Sequence, residues 1–198
     1  GALHAQISFV ELATRNALDR SLAQWNVAQG GISDWTLEDK TCEPLYTHLK
    51  GDLLDARKRA QKEAAARDSG HPRKGLPVTH DDIVAQLMFG TWVKVVIPMS
   101  STESDARHQT LWSGGVSTAF PGVSSSDSGR VSLGRRLDSL RRLRNRVAHH
   151  DSILEVNVAA RLNDLLSIAH KIDSGYPRLI MGGSQVRSIN KEDPRKKW

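Results

Sequence analysis

The sequence predicts an all-α protein, and three observations carry that prediction. Apolar residues recur at three- and four-residue steps through most of the chain, the period of amphipathic helices. No stretch shows the strict alternation of a half-buried strand. Breaks rich in Gly, Pro and Ser divide the periodic stretches into helix-sized pieces. With 198 residues and 38% hydrophobic side chains, the chain is expected to bury one core. A single helical domain over residues 1–175 and a polar, basic tail over 176–198 follow.

The first helix is expected from Ser8 to Asn26. Phe9, Leu12, Ala13, Ala17, Leu18, Leu22 and Trp25 form its apolar face, and Ser8 with Glu11 has the spacing of a capping box. Glu11, Arg15 and Asp19 follow at four-residue steps as a ladder of opposite charges. Gly30 and Gly31 break the pattern. A second helix is expected from Leu45 through Ala66, long, rich in Ala, Lys, Arg and Glu, and partly solvent-facing. After "HPRKGLP", Thr79 and Asp82 open a third helix that Pro98 stops, with Ile83, Val84, Leu87, Met88, Val95 and Val96 as core material. Residues 113–132 are Ser- and Gly-rich and read as a long loop. Two more helices are expected: 131–149 on Val131, Leu133, Leu137, Leu140 and Val147, and 155–173 on Val158, Leu162, Leu165, Ile168 and Ala169.

Composition narrows the function. A formal charge of +6 and a pI near 9.7, spread along the chain, suit a polyanionic partner. The one cysteine, Cys42, excludes an internal disulfide framework and a cysteine-rich zinc site and suits a reducing compartment, so a cytoplasmic location is expected. No run reaches the roughly 18 apolar residues of a membrane span, no secretory leader is recognisable, and no membrane partner is expected. The chain begins with Gly rather than Met, as a trimmed sequence would. A Gly-rich phosphate loop, HExxH, a nucleophile elbow and carboxylates at metal-ligand spacing are all missing. No cofactor and no metal site are therefore expected, and Asp81 and Asp82 read as charges favoured at a helix start.

Chemistry concentrates in "RRLRNRVAHHDSIL", residues 141–154. On an ideal helix Asn145 and His149 share a face one turn apart, whereas Arg144 and His149 lie about 140° apart. Arg144 reaches that face through its long side chain, through a local distortion, or by way of a second copy of the helix beside a dimer axis. Such a group suits RNA cleavage. A neutral imidazole takes the 2′-hydroxyl proton, a guanidinium holds the phosphate, and an asparagine orients either. The ribose hydroxyl then attacks its own phosphate without a metal, leaving a 2′,3′-cyclic phosphate and a 5′-hydroxyl. The alternative is a solvated basic face of Arg141, Arg142, Arg144 and Arg146 with His149 capping the helix end.

The stretch "LRNRVAHHDSIL" resembles the signature of the HEPN superfamily, in particular the Abi-like proteins of prokaryotic abortive-infection systems, in which an Arg-Asn pair, three residues and a His end the motif. Further segments match in the same order. "FVELATRNALDRSL" resembles the family's first helix with its Glu-x-x-x-Arg-Asn pattern, "DDIVAQLMFGTWVKVV" its Phe-Gly-x-Trp helix, and "LW" followed by "AFP" the connection before the motif helix. The similarity covers about residues 8–170. Asp151 stands where many relatives carry Glu, and the serine-rich loop over 121–130 is a departure specific to this chain.

The resemblance implies a HEPN-type antiparallel helical bundle with the long Ser/Gly-rich loop before the motif helix. It implies a homodimer whose two motif helices face each other across a composite active site, and a metal-independent endoribonuclease of a phage-defence or toxin–antitoxin system. Carried over by position, Arg144 and His149 are the catalytic pair and Asn145 the polar orienter. Glu11, Arg15 and Asn16 lie near the cleft, either in a direct site role or as an intrahelical ion pair and hydrogen bond that fix the fold. His150, about 100° around the helix from His149, is read as a supporting residue, with a second proton-transfer group or a plain surface position as the alternatives. RNA is the expected substrate, and a cognate antitoxin, a protein or a structured RNA, the expected further partner. HEPN domains also include non-catalytic members that bind RNA or nucleotides in a regulatory role, the alternative function for this chain.

Overall fold

The computed structural model describes residues 2–149 and 156–192, and every regular element among them is a helix. In order they are α1 (Ala2–Ala28), α2 (Leu45–Ala66), α3 (His80–Gln86), α4 (Phe89–Val96), α5 (Asp105–Ser113), a 3-10 turn (Val116–Ala119), α6 (Asp127–Ala148), α7 (Val158–Ile172), α8 (Tyr176–Gly182) and α9 (Val186–Lys191). The all-α expectation is met among these residues. No helix among them is long and apolar enough to cross a membrane.

Two compact units result: residues up to 17 with residues from 117 onward, and residues 18–116. In the unit of residues 18–116, the second half of α1 buries Leu18, Leu22 and Trp25. Helix α2 packs on α3 and α4, and α4 on α5. The face of α2 carrying Leu45, Leu49, Leu53, Ala56 and Ala60 is buried, while its Lys, Glu and Gln side chains stay exposed, as its composition predicts. The connection from Gln29 to Pro44 is tied down by buried Asn26, whose Nδ2 donates to the carbonyls of Ile32 and Lys40, both at 2.8 Å, and whose Oδ1 accepts from Cys42 N at 2.8 Å. One asparagine thus supplies three partners to backbone groups that no helix satisfies.

The single helix expected from Thr79 to Pro98 is two. Its opening is as predicted: Thr79 accepts from Asp82 N, and the Asp82 carboxylate accepts from Thr79 N in a complete capping box. The helix then stops, because Leu87 and Met88 are extended (ψ 129° and 152°) and the chain restarts at Phe89. Phe89, Thr91, Trp92, Val93, Val95 and Val96 are all buried, more than one stripe of a straight helix can hide. Breaking the helix lets α3 bury Ile83 and Val84 on one side while α4 is enclosed nearly all round. Met88, at the corner, is 57% exposed rather than core. Helix α5 sits where no helix is expected from the sequence; its apolar residues are few, but His108, Leu111 and Trp112 are buried.

In the other unit, α7 packs on α6, α8 and α9, and Phe9 of α1 meets Tyr176 edge-on with ring centroids 5.6 Å apart. Helix α6 begins at Asp127, earlier than expected, because Ser126 caps it by accepting from Gly129 N and Asp127 adds an acidic first turn. The stretch expected to be loop over 113–132 is therefore shorter and carries the 3-10 turn. A Cβ on Gly129 would lie 2.3 Å from the Ser124 carbonyl oxygen, so only glycine lets that loop close onto the helix. Residues 176–192, expected as part of a tail, carry α8 and α9 with Ile180 and Val186 buried.

Helix α1 differs from expectation at its start. It begins at Ala2, so Ser8 is an exposed residue inside the helix and caps nothing. Leu12, expected in the core, is 46% exposed.

Candidate functional site

Helix α6 carries Arg144 and Asn145 and ends at His149, and its register sets where each lies. Leu133, Leu137, Leu140 and Leu143 are buried, which fixes the rotation of the helix and sets Arg144, next to Leu143, at the edge of the core. Its Nε donates to Glu11 Oε2 at 3.3 Å, with the two side chains 33% and 26% exposed. First helix and motif helix, 133 residues apart in sequence, thus meet through two of the predicted site residues.

Asn145 is half-buried. His149 is exposed and is the C-cap of α6, its backbone N–H donating to the Asn145 carbonyl at 3.0 Å and also reaching Val147 O. The backbone of His149 thus ends the helix, as the capping alternative anticipated, while its imidazole is open to solvent. Among the described residues no contact joins Arg144 to His149, in keeping with their wide angular separation. His150 lies outside the described residues.

The charge ladder on α1 does not form. Arg15 donates through Nε to the neighbouring Asn16 Oδ1 at 3.2 Å, while Glu11 turns to Arg144 and Asp19 to Trp35 and His80. An exposed pair four residues apart stabilises by only about 0.2–0.5 kcal/mol, too little to hold carboxylates that have tertiary partners. Of the supporting residues, Glu11 is therefore beside the candidate catalytic arginine; Arg15 and Asn16 are paired with each other on α1, and Asn16 is exposed.

Four other arginines on α6 lie beside an acid. Arg130 is fully buried and its Nε donates to Asp127 Oδ1 at 2.7 Å. Arg136 sits 3.7 Å from Asp164 of α7. Arg141 and Arg142 share Asp138, with N–O distances of 2.8 and 2.9 Å.

The unit of residues 18–116 holds two polar clusters that sequence reasoning missed. Asp19 Oδ1 accepts from Trp35 Nε1 at 2.9 Å and lies 3.1 Å from His80 Nε2, whose Nδ1 is 2.8 Å from Thr36 Oγ1. Burial lowers the His80 pKa, but the hydrogen bond to Asp19 and the charges of Asp19, Asp34 and Asp81 outweigh it and raise the value overall. Hydroxyl, imidazole and carboxylate stand in the order of a nucleophile relay, yet Thr36 is 0% exposed, so no substrate reaches its oxygen and the cluster is an anchor. In the second cluster, His48 and His108 stack edge-on with centroids 4.5 Å apart and both direct Nε2 at the Lys94 carbonyl, at 2.6 and 2.9 Å. Burial, chiefly, lowers the His48 pKa, and the charges of His108 and Lys94 add to that against opposing contributions from the Lys94 carbonyl and Glu103. A signal existed for the first cluster only: the histidine directly after the Thr79 cap. No group of three or more His, Cys, Asp or Glu among the described residues is placed to hold a metal ion.

Comparison with protein-family models, with curated proteins and with solved structures returned no match to the chain.

Proposed function

We propose that the chain is a metal-independent endoribonuclease of the HEPN type, acting in phage defence or as the toxin of a toxin–antitoxin pair. The observation that carries the reading is the contact between Arg144 and Glu11, because two segments that resemble separate parts of one family signature converge on it. The arginine-rich α6 and the net charge of +6 suit a polyanionic substrate.

In the proposed reaction the His149 imidazole takes the 2′-hydroxyl proton, and the 2′-oxygen forms a new bond to the adjacent phosphorus. The bond to the 5′-oxygen breaks, and that oxygen leaves with a proton returned by the imidazolium. Arg144 carries the charge that builds on the phosphoryl oxygens, and Asn145 orients phosphate or base. Arg144 faces α1 while His149 faces solvent on the same helix, so the reading requires two copies, with Arg144 of one chain working beside His149 of the other. A cognate antitoxin, protein or structured RNA, would cover this site.

The test is to incubate the protein with total RNA in EDTA and to map the new ends, expecting 2′,3′-cyclic phosphates and 5′-hydroxyls. His149→Ala should slow cleavage by about 10²–10⁴-fold and Arg144→Ala by about 10²–10³-fold. Mixing the two inactive variants should restore part of the activity, since one of the two composite sites of a mixed dimer is intact. Cleavage that survives either substitution would remove the site assignment; metal-dependent ends would remove the mechanism.

A second reading rests on the same ion pair. Glu11 occupies a hydrogen-bonding edge of the Arg144 guanidinium, as in a structural pair, which suits a non-catalytic module that binds RNA or a nucleotide. Salt-sensitive RNA binding with no product at high protein concentration would favour it.

A further inference from the structure

Seven arginines lie on α6, and the acids near them are distributed unevenly. Asp127 and Glu11 answer Arg130 and Arg144, while Asp164 lies 3.7 Å from Arg136 and 3.0 Å from Arg161. The single carboxylate of Asp138 answers both Arg141 and Arg142, and Arg142 remains 73% exposed. Arg135 is exposed and has no ion pair among the described residues. Of the seven, Arg135 and Arg142 are the two exposed to solvent.

These two residues are seven apart, two turns of helix, and His149 is seven further on. Each step is a rotation of only about 20° from a full number of turns and a rise of about 10.5 Å. Arg135, Arg142 and His149 therefore form one line along the solvent side of α6, about 21 Å long, ending at the imidazole. Leu133, Leu137, Leu140 and Leu143 are buried, so the line cannot rotate inward without losing the core.

We infer that this line is the track for the RNA backbone: Arg135 and Arg142 hold phosphates of the strand on one side of the cut and lead the scissile phosphate to His149. The inference rests on the ribonuclease reading for the role of His149. It adds which residues bind the strand away from the reacting atoms and the line along α6 that the strand follows. Guanidinium groups suit the task because they bind phosphate by two parallel hydrogen bonds and stay charged at any working pH. Contacts made only to phosphate carry no sequence preference, so the track supplies affinity while selectivity resides elsewhere.

The experiment measures binding of a single-stranded 2′-O-methyl RNA, which cannot be cut, as a function of salt. Each phosphate contact on a single strand contributes about 0.7 to the slope of log affinity against log salt. Arg135→Gln with Arg142→Gln should make the slope shallower by about 1.4, equivalent to roughly 25-fold weaker binding at 0.1 M salt when referred to 1 M. Arg135→Lys with Arg142→Lys, which keeps both charges, should retain the slope. Arg107→Gln removes one exposed charge from α5 and should leave the slope unchanged. An unaltered slope in the double glutamine variant, or a loss just as large per charge in Arg107→Gln, overturns the track. If total RNA is still cut by the wild type in that case, the ribonuclease reading stands without it. If the wild type binds the RNA by this slope but cuts nothing, the track stands and catalysis falls. Wild-type protein that binds no RNA overturns both.

Discussion

Glu11→Ala separates the part Glu11 plays in stability from the part it plays at the site. Its ion pair with Arg144 is 3.3 Å long, and a quarter to a third of each side chain is exposed. Pairs of this kind contribute about 0.2–1 kcal/mol, and for a chain of this size about 1 kcal/mol moves Tm by roughly 2–4 °C. Removing the carboxylate should therefore lower Tm by no more than a few degrees. If the chain is the ribonuclease proposed above, the effect on cleavage should be larger and split in sign. Without Glu11 the guanidinium loses the group that fixes its direction, and kcat should fall about tenfold or more, the scale on which small misplacements act. The negative charge facing the substrate phosphate also disappears, so KM should fall rather than rise. Glu11→Gln, whose amide oxygen still accepts from Nε, should recover most of kcat while keeping the lower KM. Thermal unfolding and single-turnover cleavage at saturating RNA measure the two quantities on the same preparations. A Tm loss of ten degrees would show that the pair is part of the core. An unchanged kcat in Glu11→Ala would refute the positioning of Arg144 by Glu11.

Three further outcomes are expected. The raised pKa of His80 means that the His80–Asp19 pair stabilises fully below the unfolded value near 6.5 and loses its contribution as pH rises through the folded value. Urea unfolding across about pH 6 to 9 should therefore show stability falling with pH in the wild type and a flatter profile in Asp19→Asn. Gly129→Ala forces a methyl against the Ser124 carbonyl oxygen and should cost about 1–3 kcal/mol by denaturant titration; a neutral result would mean that the 123–126 loop closes differently. Leu22→Ala empties a fully buried site and should cost about 2–5 kcal/mol, whereas Leu12→Ala, at a position 46% exposed, should stay within about 0.5 kcal/mol; comparable losses at both would contradict the burial of α1.

Helix type was legible wherever the apolar period ran long. The bounds of α2 and the Thr79–Asp82 start of α3 follow from composition and capping chemistry, which act locally. Helix α5 was not legible, because His108, Leu111 and Trp112 are too few to establish a period over one short helix. The break between α3 and α4 was hidden for the opposite reason: nearly every residue there is apolar, so no face stood out. Leu12 was misassigned because periodicity identifies a stripe but not its edges. At the site, the positions of Arg144 and Asn145 on α6 were legible from spacing. The engagement of Glu11 with Arg144 rather than with Arg15 was not, since a pairing between residues this far apart in sequence leaves no trace in local spacing. The Asp19–His80 anchor escaped for the same reason.

The distance along the chain between Glu11 and Arg144 also sets a clock on synthesis. At translation rates of about 5–20 residues per second, the 133 residues that separate them take roughly 7–27 s to follow. Glu11 must wait that long for its arginine, whereas residues 18–116 are complete before α6 has begun to emerge. An RNA-cutting activity built on this pair would stay silent on the ribosome that makes it until Arg144 has been translated, which gives an antitoxin time to meet the chain before the site exists.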